Sequence, residues 1–185
     1  MNLWDFWRRR QKSHEGFTCG TCGEWHKGLP LGYYISFPEA YFDVPEGERE
    51  ARIGPYDEEM VIDDNRFFLK ANIEIPIQQQ DDKFGWTVWV EMTEKDSKRV
   101  SEIWDVPNRA SEPPIPIWIA CRIGLYMDTL GLKGKLIHTP PNVRRLLVLD
   151  DGDHPLVKEQ RSGIGMARVR EIASLALHSP DSVTR

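Results

Sequence analysis

Two cysteines three positions apart, Cys19 and Cys22, precede His26 by seven and four positions, and no other stretch of the chain pairs residue type and spacing so suggestively. Zinc binds thiolates and imidazoles tetrahedrally, and a C-x2-C turn lets two sulfurs reach one ion. Gly20 and Gly23 each follow a cysteine and permit the positive-φ backbone of so tight a turn. Backbone amides in such a turn could also point at the sulfurs and favour their anionic form.

A closed structural zinc site needs four ligands, and this segment offers three. The third cysteine is Cys121, and the other histidines are His14, His138, His154 and His178. His154 is the candidate for the fourth place, since Asp150, Asp151 and Asp153 stand beside it and a carboxylate can orient an imidazole ligand. It also directly precedes Pro155, a residue suited to the first turn of a helix, so Asp153 or His154 could instead be the helix cap. The local sequence favours the cap. The metal set to test is therefore Cys19, Cys22 and His26, with His154 as the fourth member.

Two other readings compete. A redox C-x-x-C favours a helix N-terminus after a strand, where the dipole lowers a thiol pKa. Gly20 and Gly23 oppose a helix here, and no βαβ pattern precedes them. The second rival is a glycine-rich surface turn with two reduced thiols and no metal.

The elements that must position this segment are mostly strands. Phe67, Leu69, Ala71, Ile73, Ile75 and Ile77 alternate with polar residues such as Lys70, Asn72 and Glu74, the period of a half-buried strand. Trp86, Val88, Val90 and Met92 alternate in the same way after a polar turn. Together they predict an antiparallel pair with one wet face. Ile115 to Leu125 alternates again and puts Cys121 in the apolar register, the place of a buried thiol rather than a ligand. Further strands are expected over 33–37, 131–138 and 143–149, and a helix start at Thr93 with Asp96. A short helix should follow Pro155, and Met166, Val169, Ile172, Ala173 and Ala176 predict an amphipathic helix over 166–178. The acidic residues of 46–64 read as a solvated loop.

The expected fold is α+β: a curved antiparallel sheet, a C-terminal helix packed on one face, and an N-terminal Cys-rich knuckle. Residues 1–15, with Trp4, Phe6, Trp7 and Arg8 to Arg10, read as a loosely attached arm. Residues 16–178 read as one domain and 179–185 as a tail. The 185-residue chain is 40% hydrophobic and 29% charged, a globular composition. Its net charge of −5 argues against nucleic acid or an anionic membrane as partner. No apolar run reaches spanning length, and no secretory h-region is visible. Clustered thiols without a disulfide pattern point to a reducing cytoplasm.

Taken in order, several pieces resemble the bacterial domain-of-unknown-function family 2199. They are Cys19 to Gly23 with His26, Pro38 through Arg49, and the strand from Phe67 to Pro76. Trp86 to Val90, His154 to Leu156, Glu159-Gln160 and Gly163-Ile164 complete the set. The likeness runs from Phe17 to about Leu177 and lies in the order of the pieces. It implies a shared fold and no particular reaction.

Three classes of function follow, in falling order. The first is a binding or structural module with a zinc knuckle. The second is a metal-free, immunity-type module that meets a protein partner through its acidic surface. The third is a hydrolase-like enzyme using His154 with nearby carboxylates, ranked last because no nucleophile–base pair is visible. The sequence leans against an enzyme.

Overall fold

Two long strands carry the architecture of the computed structural model, which describes residues 16–178; the expected arm and tail lie outside the described residues. The alternating segment forms β6 (Arg66–Pro76), and the next forms β7 (Lys83–Met92). They pair antiparallel from Phe67↔Met92 to Pro76↔Lys83, which sets Leu69 opposite Val90, Ala71 opposite Val88 and Ile73 opposite Trp86. A meander then continues through β8 (Ile115–Ile119), β9 (Lys133–Ile137) and β10 (Leu146–Leu149), each antiparallel to the one before.

The meander closes on itself. β10 returns to β6 at Leu146↔Asn72, and Asn72 N donates to Arg145 O at 2.9 Å. This corrects the expected curved antiparallel sheet: the core is a closed five-stranded barrel. An up-and-down meander with an odd number of strands brings its first and last strands into the same direction. The closing pair must therefore be parallel, as it is.

Closure assigns the two faces. Leu69, Ala71, Ile73 and Ile75 share one register with Trp86, Val88 and Val90 and with Ile115, Ile117 and Ile119. Leu136, Leu147 and Leu149 complete that inward set, and all of it is buried. Gly134 falls in the same register, opposite Ile117 and Leu149. A Cβ there would meet the Val148 carbonyl oxygen at 2.6 Å, so only glycine fits between these strands without a shift.

The expected wet face of β7 is also corrected, because nearly all of that strand is buried on both sides. Its outer side is covered by the segment after β3 (Gly32–Tyr34), which adds to β7 in parallel. Ile35 N donates to Thr87 O at 2.9 Å, and the Trp89 indole donates to Ser36 O at 3.1 Å. On the far side of β6, β5 (Glu59–Ile62) and then β4 (Ile53–Gly54) extend the sheet antiparallel. The barrel side that does face solvent is that of Trp118 and Val148.

Helices occupy the connections. Two short ones, α1 (Glu39–Asp43) and α2 (Arg49–Arg52), interrupt the acidic region. Some of its carboxylates are paired rather than merely solvated: Asp63 and Glu48 both accept from Arg52, and Glu58 accepts from Arg144. α3 (Glu94–Glu102) starts where Thr93 and Asp96 predict, with Thr93 Oγ1 accepting from Asp96 N at 3.2 Å. α4 (Pro155–Ser162) and α5 (Met166–His178) end the described chain.

Gly163 joins these last two helices with φ +75°, and a Cβ there would lie 2.7 Å from Pro76 O. That close approach lets Ile164 N donate to Pro76 O at 2.9 Å, pinning the joint to the end of β6. α5 then buries Val169, Ile172 and Ala173, the apolar stripe expected of it. No helix among the described residues is long and apolar enough to cross a membrane.

Candidate metal centre

The cysteine segment is the turn of a small hairpin made by β1 (Gly16–Thr18) and β2 (Trp25–Lys27). Cys19 N donates to Glu24 O at 2.8 Å and Gly23 N donates back to Cys19 O at 3.0 Å, which folds the turn tightly. Gly23 takes the positive φ, +75°, that this closure requires. A hairpin turn is not the helix N-terminus of a redox C-x-x-C.

The turn brings its three donors together. Cys22 Sγ lies 3.3 Å from His26 Nε2. Thr21 N donates to Cys19 Sγ at 3.4 Å. Cys19 is buried, Cys22 exposed and His26 half-buried. Burial alone would push the Cys19 thiol up. Hydrogen bonds from the Cys22 and Thr21 amides, the Ser174 hydroxyl and the Cys22 thiol outweigh it and lower the thiol to about 5. Cys19 thus presents a thiolate at neutral pH, the form a metal binds.

A fourth candidate donor comes from the other end of the described residues. Donor atoms of Cys19, Cys22, His26 and His178 all lie within 4.8 Å of one another, so the four could hold one metal ion. His178 is in the last turn of α5, and its ring stands edge-on to that of His26 at 6.1 Å between centroids. One turn earlier on the same helix face, Ser174 Oγ accepts from Gly20 N at 3.0 Å. Ser174 and His178 therefore form an i,i+4 pair that faces the knuckle. That polar pair at the end of an apolar helix was the available sequence signal for His178.

His154 is elsewhere and does other work. It is the N-cap of α4, with Nδ1 accepting from Leu156 N at 3.2 Å and Nε2 lying 3.4 Å from Met127 O. It does not join the cysteine cluster, and His178 takes the place considered for it. The physical reason is local: Pro155 starts a helix whose second amide needs an acceptor, and His154 supplies it. Replacing His154 by alanine should cost about 1 kcal/mol, as for other lost caps, and leave metal content unchanged. Denaturant unfolding with metal analysis checks both; a loss of metal would put His154 back in the site.

Cys121 is buried as its register implies. Its thiol, pushed up to about 12 by burial, accepts from Trp89 N at 3.4 Å. It is a packing residue.

The family described as an uncharacterized protein conserved in bacteria (DUF2199) matches residues 18–164. The match contains Cys19, Cys22 and His26 and stops short of His178. No curated protein and no solved structure matches the chain. With most of its length inside that match, the chain belongs to the DUF2199 family of uncharacterised bacterial proteins.

Proposed function

We propose that the protein is a binding or structural module in which the two ends of the described residues are clasped by a zinc ion held by Cys19, Cys22, His26 and His178. The observation that carries this reading is the convergence of four soft and borderline donors within 4.8 Å from opposite ends of the described chain. Two thiolates and two imidazoles suit zinc in its usual tetrahedral arrangement. Four protein ligands leave no open position for substrate, so the ion's role is structural rather than catalytic. Held there, zinc ties the hairpin to α5 and replaces the packing that a two-strand hairpin cannot supply alone.

The thiols must stay reduced to serve, which fits the cytoplasm. With a net charge of −5, the partner of such a module is a protein with a basic surface. The hydrolase reading loses its residue, because His154 is spent on a helix cap.

Metal analysis of purified protein tests the clasp. The wild type should carry about one zinc per chain. His178→Ala should lose most of it through gel filtration, whereas His154→Ala should keep it. Full zinc retention in His178→Ala, or a wild type that binds no zinc when it is offered, defeats the reading.

A further inference from the structure

The two thiols of the knuckle are unequal. Cys19 is 2% exposed, whereas Cys22 is open to solvent. Yet their sulfurs lie within 4.8 Å of each other. They are the first and fourth residues of the turn that Gly23 N closes on Cys19 O at 3.0 Å. Residues so placed in a tight turn have Cα atoms less than about 7 Å apart, within the reach of a disulfide that leaves the backbone in place. Joining the two sulfurs is therefore mainly a matter of side-chain rotation.

The knuckle also separates the roles of the two thiols. A thiolate reacts with a peroxide only where the peroxide can reach it. Cys22 meets that condition, and Cys19 lies behind it with Thr21 N donating to its sulfur at 3.4 Å. The remaining cysteine offers no rival partner. Cys121 is 1% exposed, accepts from Trp89 N inside the fold and stands outside the cluster.

We propose that Cys22 is a site of oxidation by hydroperoxides and that Cys19 resolves it, so that a single disulfide opens the clasp. The release step rests on the zinc reading; the disulfide does not. The Cys22 thiolate attacks the peroxide O–O bond, the sulfur keeps one oxygen as a sulfenic acid, and the other oxygen leaves as hydroxide or alkoxide. The Cys19 thiolate then attacks Cys22 Sγ, forming the S–S bond and breaking the S–O bond with loss of hydroxide. Two thiolates lose two electrons and one peroxide gains them. Sulfurs joined in this way are no longer thiolate ligands, which leaves only His26 and His178 for the ion. Of the contacts that tie α5 to the turn, the bond from Gly20 N to Ser174 Oγ then stays. This is a stoichiometric response, distinct from the disulfide exchange of a redox C-x-x-C, and a thiol reductant reverses it.

The test treats zinc-loaded protein with hydrogen peroxide at neutral pH beside a zinc-responsive dye, with an untreated control. Samples are then unfolded, alkylated and mapped by mass. The Cys19–Cys22 disulfide should accumulate, zinc should appear in step with it, and Cys22 should react at least about tenfold faster than Cys121. Dithiothreitol with added zinc should restore both thiols and metal. Cys19→Ser, which lacks the resolving thiol, should leave Cys22 as a sulfenic acid that a cyclic 1,3-diketone traps. A control that carries no zinc defeats the clasp, while the disulfide map still decides the oxidation. Thiols that survive peroxide, separate sulfinic acids without a disulfide, Cys121 reacting as fast as Cys22, or a disulfide that leaves zinc bound overturns the proposal.

Discussion

Cys19→Ser should unfold at a much lower temperature than wild type, and excess chelator should bring the wild type down to meet it. An ion that binds only the folded state stabilises it in proportion to the logarithm of its concentration over Kd. At a thousandfold excess over Kd the gain is about 4 kcal/mol. For a chain of this size each kcal/mol moves the midpoint by about 2–4 °C, so a fall of roughly 8–16 °C is expected. Chelator separates the metal from mere packing, which matters because Cys19 is buried. If the cysteine contributes only packing, chelator leaves the wild type alone; if it holds zinc, chelator has nothing further to remove from the mutant. With the Cys19 thiol lowered to about 5, protons compete for this sulfur only as the pH falls toward that value.

The second large effect belongs to the barrel. Leu69 is 2% exposed and points inward opposite Val90. Leu69→Ala should cost about 2–5 kcal/mol, from lost transfer energy and the cavity left behind. That is a large share of the 5–15 kcal/mol by which domains are ordinarily stable. Val148→Ala lies on the outer face of β10, where the side chain is 48% exposed, and should change stability by under about 0.5 kcal/mol. Urea unfolding of both variants reads the alternation directly. Comparable losses would mean the inward and outward faces are wrongly assigned.

What could be read from the sequence, and what could not, divides along the range of the interactions. The β6–β7 pair was legible because its alternation is local and long, and Thr93 with Asp96 marked a helix start within four residues. Barrel closure was not, since it rests on one parallel pairing, Leu146 with Asn72, for which no local pattern exists. The outer face of β7 misled for a related reason. Thr87 and Trp89 read as solvent-facing until β3 and the segment through Ser36, far back in the chain, are laid beside them.

The candidate metal cluster follows the same rule. Cys19, Cys22 and His26 could be read together because one hairpin turn holds them. His154 drew attention through its acidic neighbours, but its role was set by the residue after it, Pro155. His178 carried only the faint mark of sharing a helix face with Ser174. Its meeting with the knuckle depends on where Gly163 and Ile164 anchor the start of α5 against β6.

The most direct test of the clasp is X-ray absorption at the zinc edge on the metal-loaded wild type beside His178→Ala. The account predicts a four-coordinate wild-type ion with two sulfurs at about 2.3 Å and two imidazole nitrogens at about 2.0–2.1 Å. In the variant, one imidazole should be lost from the zinc that remains. An unchanged imidazole count in His178→Ala, or a wild-type spectrum with no sulfur scattering, would contradict it.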